Sequence, residues 1–140
     1  MYQNPYQQRP QDYQPPAVHT VPVERSIAGL GHWIPAPVAL LFGLLLPILP
    51  PLLCFVAPLV IMLVARTPFV REHGRQALNF QLTAAIPGLL FGILAMTVPY
   101  CWILSLLLFV ACLVFEILGA VKAGTGEWFR YPVAIPFVPR

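Results

Sequence analysis

The sequence predicts an all-α membrane protein made of two helical hairpins, with four transmembrane or partly re-entrant helices and a disordered N-terminal tail. Two blocks of 40 residues, 26–65 and 76–115, contain no Asp, Glu, Lys or Arg. A helix rises about 1.5 Å per residue, so each block gives roughly 60 Å of helix. The hydrocarbon core is about 30 Å thick, which makes each block long enough for two crossings. Prolines near the middle of the blocks, at Pro50 and Pro99, mark the two turns.

Composition and charge placement support this architecture. Hydrophobic residues make up 59% of the chain and charged residues 9%, whereas a soluble domain carries roughly 25% charged residues. With four crossings, all eight basic residues fall on one face of the membrane. Positively charged loops stay in the cytoplasm, so we expect both termini on the cytoplasmic side of a bacterial plasma membrane. Because the basic residues flank membrane segments, the formal charge of +3 does not indicate a nucleic-acid partner.

Residues 1–25 are rich in Gln, Pro and Tyr, and we expect them to form a disordered cytoplasmic tail. Proline removes backbone donors, and few aliphatic residues are available to build a core. The alternative is a segment whose tyrosines contact a partner. The tail has no apolar stretch with a cleavage site, so the first membrane helix is expected to act as the insertion signal.

The membrane domain, residues 26–123, is expected to contain four helices. The second has only 14 residues, or about 21 Å of helix. It must therefore thin the bilayer, or dip in and return without a full crossing. Gly124 is expected to end the fourth helix, since glycine commonly follows a helix C-terminus, and residues 124–140 form a cytoplasmic interfacial segment. The predicted bounds of the four helices are about 27–49, 52–65, 76–98 and 100–121.

The cytoplasmic connector, residues 66–75, contains the first candidate site. On a short helix, Phe69 and Val70 can dip into the acyl region while Arg71 and Arg75 face the headgroups. These four residues are predicted to form an interfacial docking surface for lipid or for a protein partner.

A second candidate set consists of polar residues near the cytoplasmic ends of the helices. Polar side chains in membrane helices seek partners on other helices. They either make interhelical hydrogen bonds or line a cytoplasm-facing vestibule. The carboxylate within the last helix needs a cation or a proton: it forms a structural ion pair, with Arg66, Arg75 or His32 as candidate partners, or it handles a proton or cation. The set comprises His32, His73, Gln76, Asn79, Thr83 and Glu116.

No catalytic, cofactor-binding or metal site is predicted. The chain has neither a phosphate-binding loop nor a G-x-S-x-G turn. Its three cysteines, Cys54, Cys101 and Cys112, do not have metal-ligand spacing. Cys54 and Cys101 both follow the predicted outer turns, so a disulfide in an oxidising compartment is the alternative to free thiols.

Two motifs carry a resemblance to a known family. The run PFVREHGRQALNFQ, residues 68–81, opens the third helix, and AVKAGTGEWFRYP, residues 120–132, follows the fourth. Together they resemble a bacterial family of small membrane proteins of unknown function, related in pattern to the chloroplast import component known as the Tic-twenty family. The resemblance implies four helices, a cytoplasmic N-terminus, and a role in protein translocation or membrane assembly.

Two classes of function remain. In the first, the protein is a non-enzymatic scaffold or a subunit for assembly or protein translocation. In the second, it is an oligomeric conduit or small transporter with a cytoplasm-facing polar vestibule. The sequence favours the first class, because few polar residues lie between Thr83 and Glu116 to line a path. Four short helices enclose little interior, so the expected partners are the lipid bilayer and a homo-oligomer or larger membrane complex.

Overall fold

The computed structural model describes residues 20–98 and 100–139, and the secondary structure within them is entirely helical. Six helices align into four rods, because α1 continues into α2 and α3 continues into α4 across short breaks. This confirms the predicted all-α class for the described residues. The tail prediction for residues 1–19 lies outside them. The helices are α1 (Pro22–Trp33), α2 (Pro35–Leu45), α3 (Leu49–Leu53), α4 (Val56–Val64), α5 (Pro68–Thr97) and α6 (Trp102–Thr125).

Three of the four rods are long and apolar enough to cross a membrane: Pro22–Leu45, Pro68–Thr97 and Trp102–Thr125. The chain is therefore a multi-pass membrane protein. The rod Leu49–Val64 is shorter, and its 16 residues give about 24 Å of helix, less than the hydrocarbon core of about 30 Å. A fourth full crossing is thus not supported by length, as the brevity of the second predicted helix indicated.

Several helix ends differ from the predicted ones. α1 begins at Pro22, before the predicted start of the membrane domain at residue 26. α5 begins at Pro68, so most of the predicted connector forms its first two turns. Thr67 caps this helix by accepting a bond from the Val70 amide, and proline suits the first helical position. α6 ends before Gly126, which takes a φ of 78°, the left-handed conformation that glycine adopts without strain. Gly124, the predicted terminator, lies within the helix.

Close glycine contacts fix the path of the second rod. A Cβ atom built on Gly92 would lie 2.8 Å from the carbonyl oxygen of Pro47, and one on Gly74 would lie 2.9 Å from the backbone nitrogen of Met62. The chain therefore turns back before α3 and runs antiparallel to α5. On the other side of the bundle, Gly29 of α1 faces the Ala120 carbonyl of α6. The start of α1 and the end of α6 thus share one end of the bundle, hereafter the inner end.

Burial is concentrated at the inner end. Every residue of α5 from 73 to 81 is buried, whereas most of 82–98 is exposed or half-buried. A small apolar core also lies there, with Phe69 and Val70 packed near Trp128. Large apolar side chains such as Leu44, Leu63 and Leu107 point outward. This distribution, polar inside and apolar outside, is suited to contact with lipid rather than water.

Candidate functional site

A chain of hydrogen bonds through two buried histidines joins three parts of the inner end. The Tyr131 hydroxyl lies 2.7 Å from Nδ1 of His32, and Nε2 of His32 lies 3.0 Å from Nδ1 of His73. Nε2 of His73 in turn lies 3.0 Å from the Glu127 carbonyl oxygen. This series of hydrogen bonds therefore ties α1, the start of α5 and the segment after α6 together.

The chemistry of the groups assigns a direction to every bond. A carbonyl oxygen only accepts, so Nε2 of His73 carries a proton and donates to Glu127. In a neutral His73 ring Nδ1 is then the acceptor, so Nε2 of His32 is the donor. Nδ1 of His32 must accept, and the Tyr131 hydroxyl donates to it. With both histidines neutral, every polar atom along the chain is satisfied, as buried groups require.

Aromatic rings and one glycine hold the two imidazoles in place. The Trp128 ring is parallel to His73, with an interplanar angle of 9°, and Phe69 lies 4.6 Å from the same ring. A Cβ atom on Gly119 would lie only 2.7 Å from Nδ1 of His32. Glycine is therefore needed at this position of α6, because any side chain would displace the ring.

Two titratable groups at the site belong to the segment that follows α6. Burial raises the pKa of the Tyr131 phenol well above its usual value, so the hydroxyl stays a hydrogen-bond donor. Hydrogen bonds from Lys122 and Thr125 lower the pKa of the exposed Glu127 carboxyl. Lys122 also forms an ion pair with Glu127 at 2.6 Å, which links the last turn of α6 to the segment that follows the helix.

The predicted docking surface is not a surface in the structure. Phe69 and Val70 are 1% and 4% exposed, because they belong to the apolar core that α5 shares with α1, α4 and α6. Arg75 is also buried and donates to Glu72 through Nε at 2.9 Å. Of the four residues only Arg71 stays exposed, with its guanidinium 3.1 Å from the Ala65 carbonyl.

Three residues one helical turn apart, Arg75, Asn79 and Thr83, bind the backbone of the C-terminal segment. Asn79 makes two bonds to Val138: its amide donates to the carbonyl at 3.2 Å, and its oxygen accepts from the N–H at 2.8 Å. Arg75 donates to the same carbonyl at 3.1 Å. The Thr83 hydroxyl accepts from the Ile135 N–H at 2.9 Å. The predicted polar contacts of Asn79 and Thr83 are therefore made with the chain's own C-terminal segment rather than with another helix.

The buried carboxylate of Glu116 is paired with an amide. Nε2 of Gln81 donates to it at 2.6 Å, and Gln76 bonds similarly to Glu72 at 2.9 Å. The predicted ion pair of Glu116 with Arg66 or Arg75 is absent from the described residues. The physical reason is that Arg75 is engaged by Glu72 and the C-terminal segment, whereas Gln81 faces α6 directly.

A cavity of about 410 Å³ begins beside Gln81 and Glu116 and extends between α2, α3, α5 and α6 to Pro47 and Trp102. Its walls are mainly Ala, Gly, Pro and Leu residues. The Ser105 hydroxyl in this wall is buried, and it has no partner among the described residues. Cys54 and Cys112 also line the cavity as free thiols. No group of three or more His, Cys, Asp or Glu side chains in the described part of the chain could hold a metal ion.

Sequence reasoning missed several residues of the site. Tyr131, Trp128 and Gly119 were not candidates, although an aromatic run after a helix end is a signal for packing against that helix. The bond between the Gln81 amide and the Glu116 carboxylate was not predicted either. Their partners lie up to 99 residues away in sequence, so no local pattern identifies them.

Comparison with known proteins gives one match. The model of the magnetosome magnetite crystal formation protein family (MamF/MmsF) matches residues 23–138. No curated protein and no solved structure matches the chain. The resemblance to the Tic-twenty family is therefore wrong, since both motifs that carried it lie inside a match to a different family. Short runs of Arg, Gly and aromatic residues recur where helices meet a membrane surface, so they discriminate poorly between families.

Proposed function

We propose that this chain, which belongs to the magnetosome magnetite crystal formation protein family, is a non-enzymatic structural subunit of the magnetosome membrane. In this role it supports magnetite crystal formation by assembling with copies of itself or with other membrane proteins. The proposal places no catalytic step on the chain.

One observation carries this proposal: the polar side chains of the inner end are consumed by bonds within the chain. His32 and His73 bond to each other and to the C-terminal segment. Asn79 and Gln81 are likewise engaged by Val138 and Glu116. A vestibule for ions or a catalytic site needs polar groups that face open space. Groups that are paired with one another favour a rigid structural element.

The proposed assembly draws support from the half of the bundle away from the inner end. There the described residues of α2, α5 and α6 are largely exposed and the cavity separates α2 from α6. Small residues such as Ala39, Gly43 and Ala84 line this region, and small side chains allow helices to approach closely in membranes.

The test is a deletion strain of the source bacterium, complemented with the wild-type chain and with variants. We expect the deletion to change the length or number of magnetite crystals seen by electron microscopy, and the wild-type chain to restore them. Cross-linking and mild-detergent purification should recover a homo-oligomer or a defined set of membrane partners. Normal crystals in the deletion strain would overturn the proposal, and so would a strictly monomeric chain that co-purifies with nothing.

The alternative function, an oligomeric conduit, has one observation in its favour. The cavity reaches the buried Glu116 and contains the unpartnered Ser105 hydroxyl. Ser105→Leu fills this space without touching the inner end. If the chain is a structural subunit, the variant should still restore crystals at a normal membrane level. Loss of crystals from a normally inserted Ser105→Leu chain, with a flux in liposomes that the variant abolishes, would favour the conduit.

A further inference from the structure

After α6 the chain folds back along α5 instead of leaving the bundle. The Glu127 carbonyl meets His73, and the Tyr131 ring then stacks on Phe80 with centroids 4.1 Å apart. Further on, the Ile135 N–H reaches Thr83. The path then reverses, and Val138 returns to Asn79. Residues 131–138, hereafter the C-terminal strap, thus run down α5 from its start towards its middle and partly back.

The length of α5 fixes the depth of the strap. α5 has 30 residues, whereas about 20 helical residues fill the hydrocarbon core. Wherever α5 sits in the membrane, any stretch of about 20 residues within it contains residues 78–87. Asn79, Phe80 and Thr83 all lie in this range. Thr83 also lies in the stretch that every span of about 17 residues within α5 shares, so its partner Ile135 is at the depth of the hydrocarbon, and the partners of Asn79 and Phe80 lie between Ile135 and the headgroups.

The backbone of the strap is built for such a place. Irregular backbone at membrane depth is tolerated only if the protein satisfies its polar groups. Of the six N–H groups in residues 131–138, the four at Ala134, Ile135, Phe137 and Val138 donate hydrogen bonds within the protein, at 2.8–3.4 Å. The other two residues with a place in this stretch but no N–H to satisfy are Pro132 and Pro136. Two of the four bonds end on α5 side chains and two on carbonyls of the strap itself.

Tyr131 points into the bundle, but three large apolar side chains of the strap point outward. Val133, Ile135 and Phe137 are 56%, 48% and 46% exposed. Pro132 and Pro136 beside them are exposed as well, so the outward face of the strap is apolar along its length. Exposure of three apolar side chains to water is unfavourable, whereas their contact with lipid acyl chains is favourable.

We propose that the C-terminal strap is a re-entrant, membrane-inserted element whose face Val133, Ile135 and Phe137 contacts lipid acyl chains. Arg75, Asn79 and Thr83 are its positioning residues, because they bind its backbone and leave its side chains to the lipid. The strap thereby extends the lipid-facing perimeter of the bundle at the inner end. This inference depends on the membrane location of α5 and not on the proposed function.

Spin labels test it directly. Single cysteines are introduced at Val133, Ile135 and Phe137, in a full-length chain whose native cysteines are replaced by alanine and which is reconstituted in liposomes. The collision rate of each label is measured with oxygen, which partitions into hydrocarbon, and with a water-soluble nickel chelate. Leu90 on the exposed side of α5 is the lipid reference, and Thr125 at the end of α6 is the water reference. We expect the strap labels to match Leu90, with high oxygen and low nickel collision rates.

Collision rates at the strap that match those at Thr125 would overturn the proposal, since the strap would then lie in water. A second arm tests the positioning residues. Asn79→Leu removes both bonds to Val138 and should raise nickel access at Ile135 severalfold. Gln81→Leu is the matched control, because Gln81 is also a buried amide on α5 but bonds to Glu116 of α6 and not to the strap or to Arg75. Equal effects of the two variants would show that Asn79 does not hold the strap.

Discussion

At the residue scale, His32 and His73 join three segments of the protein, and the tautomer of each ring follows from the hydrogen bonds that it makes. The Glu127 carbonyl can only accept and so determines the tautomer of His73, which determines that of His32 and finally the direction of the Tyr131 hydroxyl. Such a chain is sensitive to loss of its terminal donor. Without it, Nδ1 of His32 would stay buried and without a partner, while the other two bonds of the chain remain.

Tyr131→Phe should therefore lower stability, because Nδ1 of His32 would lose its donor while remaining buried. A buried polar group left without a partner costs roughly 1–3 kcal/mol. Thermal unfolding of the purified protein in detergent measures the effect. The control is Tyr100→Phe, since Tyr100 is 77% exposed and its hydroxyl should be dispensable. Equal midpoints for Tyr131→Phe and the wild type would show that the bond contributes nothing.

Two glycines of α6 give a second test at this scale. Gly119→Ala places a methyl group 2.7 Å from Nδ1 of His32, and overpacking of this kind costs about 1–3 kcal/mol. Gly124→Ala meets nothing within 4 Å and should gain up to about 1 kcal/mol of helix propensity. The two variants should thus shift the unfolding midpoint in opposite directions. A decrease of similar size in both would indicate that α6 needs flexibility rather than space beside His32.

At the scale of elements, long uncharged stretches in the sequence predict the rods well. Hydrocarbon-length helices need only local composition, which is why the end of the third helix and both ends of the fourth lie within four residues of their predicted places. The charges of the connector predict a break with only a short helix in it, whereas in the structure Thr67 and Pro68, which are local signals for a helix start, begin the long helix α5. The strap could not be predicted. Its position depends on contacts such as that of Asn79 with Val138, 59 residues apart.

The contact between Glu116 and Gln81 makes a prediction about how α5 and α6 hold together. Glu116→Gln keeps an oxygen that accepts from Gln81 and removes a buried charge, so stability should be unchanged or higher. Glu116→Leu leaves the Gln81 amide without its acceptor and should cost about 1–3 kcal/mol. The free energy of unfolding is measured for both variants, alone and combined with Gln81→Leu. The departure from additivity gives the coupling energy between Glu116 and Gln81. If Glu116→Gln is as unstable as Glu116→Leu, the negative charge itself is needed and an ion pair or bound proton must be sought.

For the whole molecule, the distribution of polarity says more than any single site. Polar side chains fill the inner end while apolar ones cover the outside, the reverse of a soluble protein. Glycine contacts hold the short rod Leu49–Val64 antiparallel to α5. Whether that rod carries the chain across the bilayer decides the topology. A full return places both ends of the helical region on one side, whereas three crossings would separate them.

Labelling of single cysteines tests the hairpin that α5 and α6 form and the side of the membrane on which it opens. With native cysteines replaced, cysteines at Thr67 and Thr125 should lie on the same side of the membrane, and one at Val98 on the opposite side. We expect the first two on the cytoplasmic side, because Arg66, Arg71 and Lys122 flank them and positively charged loops stay inside. An impermeant thiol reagent applied to intact cells that express the chain in their plasma membrane should then label only Val98. Permeabilised cells, where all three positions should react, provide the control. Opposite labelling of Thr67 and Thr125 would contradict the two-hairpin arrangement, because α5 and α6 would no longer form a hairpin that returns the chain to its starting side.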